Sequence, residues 1–332
     1  MIRINKNESP IRALTNEEIA EIAVSTRFQE YTDDAIDRLT EAYAAFHGED
    51  PALIAFANGS DEWIQKCTIL LGDGPILMLE PDFVMYEEYA AQFQREIIKV
   101  PCRADYSFDY DQVYAVIEKE KPSYFIVSQP NNPLGGLHPA AFIQKTAELL
   151  ADSGGYLILD EAYMDFVDNP PARPVGDHVI LLRTLSKIYG LAGLRIGIAS
   201  STEKTMQLLN SIAHPYPLNT LSLSIAAYLL EHPERLRAFM ADQRRLSAKL
   251  KKIFNEGVAD ILSVLPSETN FVFTYGELAP SLGQWIIDHG YQPRTYEKSG
   301  IPCIETAVRY SIATDEQLDA LGEIIREWRE QL

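Results

Sequence analysis

The stretch Thr184-Leu185-Ser186-Lys187, continued by Ile188-Tyr189-Gly190-Leu191-Ala192-Gly193-Leu194-Arg195, gathers a lysine, two small hydroxyls, a glycine-bearing turn and an arginine eight residues after the lysine. An unprotonated lysine amine forms Schiff bases with carbonyl compounds. Hydroxyls and the planar donor fork of arginine are good partners for a phosphate. An aldehyde carrying a phosphate needs both halves, and pyridoxal phosphate is such a molecule. A Ser-Lys pair before a glycine turn also occurs as ordinary loop chemistry, so the stretch gains meaning only from partners elsewhere in the chain.

Several stretches offer such partners, each with a plainer structural explanation beside it. Asn58-Gly59-Ser60-Asp61-Glu62 stands where a helix begins, and the free N–H groups and positive dipole end there suit a phosphate, although Ser and Asp caps are routine. Asp160 ends an apolar run, Tyr156-Leu157-Ile158-Leu159, and a carboxylate there can hold a pyridine nitrogen protonated; Tyr163, three residues on, is in range of a ring oxygen. The turn Gln129-Pro130-Asn131-Asn132-Pro133 is stiffened by its prolines and can aim the Asn132 amide. The stretch Pro81-Asp82-Phe83-Val84-Met85-Tyr86 can offer an aromatic face to a planar cofactor, although an aromatic in such a place is more often core. Arg309 lies in an alternating strand, where an inward-facing guanidinium clamps a carboxylate by two prongs, and Arg294 is a second candidate anion binder; a surface ion pair is the plain alternative for both.

What must position these residues is a run of alternating elements. Between about residues 50 and 200, apolar strands near 76–79, 96–100, 124–127, 156–159, 179–183 and 195–199 alternate with helices near 63–71, 84–93, 110–120 and 139–151. That alternation predicts an α/β fold with a doubly wound, mostly parallel sheet covered on both faces. Ligands of such sheets bind beyond the carboxyl ends of the strands, where the polar residues above recur. Residues 1–32 read as an arm with turn-forming residues and a short extended piece at 28–32. Asp33-Asp34 then caps a helix stopped by Gly48. Residues 33–232 are expected to form the large domain. Residues 233–332 are expected to form a smaller α+β domain: a long charged helix, strands near 261–265, 270–274 and 308–312, and a closing helix from Asp315.

Composition narrows the function. The chain has 332 residues, 46% hydrophobic and 23% charged, as ordinary globular proteins do. A net charge of −19 argues against nucleic acid and anionic membranes as partners, since both require a basic footprint. Cys67, Cys102 and Cys303 have neither metal-site nor disulfide-framework spacing, and the six histidines share no metal spacing, so no metal is expected. With a polar start and no membrane-length apolar run, a cytoplasmic protein is the expectation.

The order of these motifs resembles the fold-type I pyridoxal-phosphate-dependent transferases, and within them the histidinol-phosphate aminotransferases, nearly end to end. The opening Arg3-Ile4-Asn5-Lys6-Asn7-Glu8-Ser9-Pro10, the Asn58–Glu62 turn, Asn131-Asn132-Pro133, Asp160-Glu161-Ala162-Tyr163 and the Thr184–Arg195 block carry the likeness. The sequence departs at Ser9, Phe83, Leu134 and Ile312-Ala313, where the family usually has asparagine, tyrosine, threonine and a Val-Gly pair.

The resemblance implies that Lys187 forms the Schiff base and shuttles the proton, that Asp160 pairs with the ring nitrogen, and that Asn132 and Tyr163 bond the ring oxygen. Phe83 would stack on the ring, and Ser60, Asp61, Thr184, Ser186 and Arg195 would surround the phosphate. Tyr31 would reach the cofactor phosphate of a neighbouring copy, which implies a homodimer with residues 1–32 in the contact. Arg309 would bind the substrate carboxylate when the substrate is an amino acid, Arg294 would help bind a substrate phosphate, and Asn7, in the opening motif, would also meet substrate. The implied reaction is transamination between L-histidinol phosphate and 2-oxoglutarate, in histidine biosynthesis. Decarboxylation of an O-phospho-amino acid, transamination of aromatic amino acids and non-catalytic cofactor binding remain open at this level.

Overall fold

The computed structural model describes residues 1–332, the side chain of Asp33 excepted. Its strands in chain order are β1 (Ile2–Arg3), β2 (Ile54–Asn58), β3 (Ile76–Glu80), β4 (Ile97–Pro101), β5 (Tyr124–Ser128), β6 (Tyr156–Asp160), β7 (Val179–Thr184), β8 (Ile196–Ser200), β9 (Ser263–Val264), β10 (Phe271–Tyr275), β11 (Tyr291–Gln292), β12 (Arg294–Thr295) and β13 (Val308–Ser311). A seven-stranded sheet runs in the order β2-β8-β7-β6-β5-β3-β4. Its neighbours are parallel except at β8, which is antiparallel to both β7 and β2. The chain steps from β3 outward to β4 and then back across to β5, so a crevice opens at the carboxyl ends of the central strands.

The apolar runs become central strands because helices cover both faces. Leu77, Leu79, Phe125, Val127, Leu157 and Leu159 pack on one side with Val113 and Ile117 of the helix Tyr110–Glu120 and with Phe142 and Leu150 of Ala140–Ser153. Ile76, Met78, Tyr124, Ile126, Ile158 and Ile180 pack on the other with Trp63 and Ile64 of Ser60–Leu70 and with Met206 and Leu209 of Glu203–Asn210. Each such side chain, fully buried, contributes about 1.5–3 kcal/mol relative to exposure.

A second, antiparallel sheet has the order β12-β13-β10-β9. It packs with the long helix Pro233–Gly257 and the closing helix Asp315–Arg329 through Leu246, Leu250, Phe254, Leu321 and Ile325. The N-terminal segment joins this region: β1 pairs in parallel with β11, and Ser311 N–H donates to the Ile4 carbonyl at 2.9 Å. Among the described residues no helix is long and apolar enough to cross a membrane.

The structure departs from the sequence-based expectation in several places. The arm contains a helix, Asn16–Ser25, opened by a Thr15–Glu18 capping box, a local signal that the many turn-forming neighbours obscured. Residues 28–32 form a turn rather than an extended piece, and Phe28 and Tyr31 are exposed. Thr32, not the Asp33-Asp34 pair, takes the cap position of the helix Asp33–His47. The strand β2 precedes the Asn58 turn, where its two alanines give little strand signal; pairing with β8 creates it. Helices Glu203–Asn210, Thr220–Leu230 and Ala279–Asp288 are further elements beyond those expected.

Candidate active site

The strand ends converge. β2, β3, β5, β6 and β7 all deliver their carboxyl ends to one edge, and β8, running the other way, starts there immediately after Arg195. One reversed strand thereby places the arginine beside the turn that follows β2.

That corner is shaped by absent side chains. A Cβ on Gly197 would sit 2.1 Å from the Gly59 carbonyl carbon and 2.2 Å from the Ser60 nitrogen, so only glycine lets β8 lie against the start of the helix Ser60–Leu70. Gly59 has a φ of +82°, and a Cβ there would lie 2.4 Å from an Arg195 guanidinium nitrogen. Arg195 itself holds a left-handed φ of 54° and donates to Asp61 Oδ2 at 2.7 Å. Thr184 Oγ1 donates to Ser186 Oγ at 2.8 Å and accepts from the Ser186 N–H at 3.1 Å. Hydroxyls, a guanidinium and a helix N-terminus face one small volume, a donor set suited to a phosphate.

Lys187 follows directly. Its Nζ donates to the Lys6 carbonyl at 3.3 Å and lies 5.6 Å from the centre of the Tyr163 ring. Asp160, at the end of β6, is buried and accepts from Tyr86 Oη at 2.9 Å and from the Ala162 N–H at 3.2 Å. Burial is the main reason that its carboxyl is pushed up to about 6, against the opposing effect of those hydrogen bonds. A cationic partner beside it would reverse that shift.

The opposite wall comes from the N-terminal segment and the second sheet. Asn7 Nδ2 donates to Tyr163 Oη at 2.7 Å. Arg309 is buried, donates to Asn132 Oδ1 and to the Asn5 carbonyl (2.9 Å for the latter), and makes no ion pair among the described residues. Its Nε, with Asn5 Oδ1 and Asn7 Oδ1, has no hydrogen-bond partner. Arg294 is exposed at the mouth, its guanidinium 5.7 Å from the centre of the Tyr296 ring.

Two connected spaces result. An inner cleft of about 520 Å³ is lined by Ser60, Asp61, Phe83, Asn132, Asp160, Tyr163, Thr184, Ser186, Lys187 and Arg195. An outer one of about 1610 Å³ shares Asp61, Phe83, Asn132, Tyr163 and Lys187 with it and adds Asn7, Arg294 and Arg309. The structure thus brings together every candidate site residue except Tyr31, which is exposed and stacks on Tyr216 with ring centres 4.3 Å apart.

Sequence reasoning missed Tyr86, which donates to Asp160, and the buried Asp82–Ser128 pair beneath Asn132. Asp82 stands two residues beyond β3 and Ser128 is the last residue of β5, so position at a strand end was the available signal for that pair, whereas Tyr86 lies in the helix Met85–Gln92.

A buried acid and a lysine facing one cleft, with a phosphate cradle at one end and an unpaired arginine at the other, define a lysine-dependent site at the carboxyl edge of an α/β sheet. The chain belongs to the aminotransferase class I and II family, whose profile matches residues 3–325. It is 32% identical to a histidinol-phosphate aminotransferase of a Thermoanaerobacter species, over 98% of this chain and 92% of that protein. It is 33% identical to one of Chromobacterium violaceum over 85% and 79% of the two chains. The crystal structure of histidinol-phosphate aminotransferase from Sinorhizobium meliloti in complex with pyridoxal-5'-phosphate superimposes with a TM-score of 0.83 at 25% identity, covering all of this chain and 91% of the other.

Proposed function

We propose that the protein is a pyridoxal-phosphate-dependent aminotransferase that moves an amino group from L-histidinol phosphate to 2-oxoglutarate, giving imidazole acetol phosphate and L-glutamate. The observation that carries this reading is that Lys187 and Asp160, from separate strands, line one inner cleft that opens onto Arg309. The relatives' names supply the substrate.

The residues fit the cofactor. The glycine-shaped corner leaves room for a phosphate among Ser60, Asp61, Thr184, Ser186 and Arg195. Phe83 lies beside the space a ring would fill, with Asn132 and Tyr163 placed for its oxygen. When bound, pyridoxal phosphate supplies an aldehyde and an electron-withdrawing ring. Asp160 holds the proton on the ring nitrogen, with its own ionised form favoured by that charge. Lys187 would hold the cofactor through its aldehyde and, once the arriving substrate has released its amine, would be the base placed to take a proton from the substrate carbon and deliver it to the former aldehyde carbon on the other side of the intervening nitrogen. Asn7 orients Tyr163 and reaches the substrate. Arg309 receives the carboxylate of 2-oxoglutarate or glutamate, and Arg294 the phosphate of the amine.

In this reading residues 33–232 are the cofactor-binding domain and 233–332 the small domain, with residues 1–32 as an arm between copies. Tyr31, outside its own cleft, serves the phosphate of a second copy in a homodimer. The enzyme works in the cytoplasm on small molecules.

A half-reaction panel tests the proposal. The cofactor-loaded protein is mixed in turn with histidinol phosphate, phosphothreonine and phenylalanine, and the visible band is followed. Loss of the band with histidinol phosphate, and its return with 2-oxoglutarate, is expected. Release of carbon dioxide from phosphothreonine, or a response to phenylalanine alone, would contradict the substrate assignment.

A further inference from the structure

A line of hydrogen bonds runs beneath the site and meets the inner cleft at Ser128 and Asn132. It starts at Asp82, just beyond β3, a carboxyl only 4% exposed. Asp82 Oδ1 accepts from the Phe83 N–H at 2.7 Å, and Oδ2 from the Ser128 N–H at 3.2 Å. The Ser128 hydroxyl also bonds to Asp82, and its oxygen accepts from the Asn132 N–H at 2.9 Å. The Asn132 side-chain oxygen in turn accepts from Arg309. Four residues from the ends of β3 and β5, the turn after β5 and the second sheet are thereby joined in series.

We propose that Asp82 is a positioning residue that fixes Asn132, and through it Arg309, in the orientation that receives a substrate carboxylate. The proposal rests on the reading of Arg309 as the carboxylate-binding group. The two bonds between Asp82 and Ser128 are buried, where hydrogen bonds are strengthened by the low dielectric and a missing acceptor strands its donors. The titratable groups whose charge Asp82 meets are Asp160 and Tyr86. Burial, with Asp160 adding to it, pushes the Asp82 carboxyl up to about 8, whereas Asp160 stands at about 6. Of the two buried acids Asp82 is thus the one that burial raises further.

Histidinol phosphate has no carboxylate, whereas 2-oxoglutarate has two, so the two substrates separate this role from general damage. Asp82→Ala and Asp82→Asn are compared with the parent as cofactor-loaded enzymes, with KM measured for each substrate. Asp82→Ala is expected to raise the KM for 2-oxoglutarate about tenfold, the effect of one hydrogen bond weakened between Arg309 and the carboxylate, with less than about a threefold change for histidinol phosphate. Asp82→Asn keeps the shape and one of the two acceptor oxygens, and is expected to raise the 2-oxoglutarate KM less than Asp82→Ala does. Equal changes for both substrates, no change in Asp82→Ala, or an Asp82→Asn as impaired as Asp82→Ala would overturn the proposal. If Asp82→Ala does not fold, Ser128→Ala cuts the line one link further on. The same split is expected there, and an unchanged 2-oxoglutarate KM overturns the proposal. A parent protein that takes up no cofactor counts against the proposed function instead.

Discussion

The two sides of the cleft are built differently. The floor comes from strand ends of a single sheet: Asp160 closes β6, Thr184 closes β7, and Arg195 sits against the start of β8. Its geometry is set by backbone approach at Gly59 and Gly197, and its exposed cation is paired, Arg195 with Asp61. The wall comes from the N-terminal segment and the second sheet, joined across 304 positions of sequence by the bond from Arg309 to the Asn5 carbonyl. Its cations, Arg294 and Arg309, have no carboxylate partner among the described residues, and three of its buried polar atoms are unpaired. The wall's two arginines are thus free to take an anionic ligand, whereas the floor's is already paired. The floor is finished without substrate, whereas the wall is not.

This contrast can be broken or sharpened by substitution. On the floor, Lys187→Ala is expected to abolish the visible band of the loaded protein and to lower kcat by about 10⁴-fold, read by spectrum and steady-state rate. Gly197→Ala drives a Cβ into the Gly59–Ser60 backbone, and a loss of about 3 kcal/mol is expected in denaturant unfolding, with weakened cofactor binding. Gly193→Ala, where a Cβ meets nothing within 4 Å, is expected to change stability by less than about 0.5 kcal/mol. Equal effects at the two glycines would remove the close-approach argument.

The lysine turn is also supported from below. His47 lies between Tyr189 Oη, 3.0 Å from its Nε2, and Arg183, 3.3 Å from its Nδ1, and Tyr189 donates to Asp165 at 2.9 Å. Burial lowers His47 from 6.5 to about 4, with Asp165 opposing and Arg183 and Arg173 assisting. Its neutral form is the folded form. Its contribution is therefore full above pH 6.5 and falls away as pH drops from 6.5 towards 4, by at most roughly 3 kcal/mol. A flatter acid limb of unfolding free energy in His47→Gln is the expected signature, and an unchanged limb would contradict it.

On the wall the effects are smaller and substrate-dependent. Arg309→Ala is expected to raise the KM for 2-oxoglutarate about 100-fold. Arg294→Ala is expected to raise the KM for a phosphorylated amine about tenfold and that for a free amino acid less. Equal effects of Arg294→Ala on both would remove its phosphate role.

The same division explains what could be read from the residues alone. Floor residues stand next to the apolar runs that make their strands, so Asp160, Asn132 and Lys187 could be placed at a shared sheet edge from local pattern. That β8 runs against its neighbours, bringing Arg195 round to the same edge, is a property of pairing that no local window contains. On the wall, the partnership of Asn5 with Arg309 depends on how the segment after β1 meets β13 once the whole chain has folded. Tyr86 and Asp82 lay in a stretch read only for an aromatic face, because an acid or tyrosine near a proline turn has no distinctive spacing; their meaning comes from contact with Asp160 and Ser128. The aminotransferase fold and the inner cleft were legible, whereas the supporting contacts required the coordinates.

The central claim is that one particular amine meets the aldehyde. Lys6 and Lys298 also line the outer cleft, so the choice of Lys187 is a real one. Borohydride reduction of the cofactor-loaded protein followed by peptide mass mapping tests it directly. A single pyridoxyl group on Lys187 is predicted; the label on Lys6 or Lys298, or no label at all, would contradict the account.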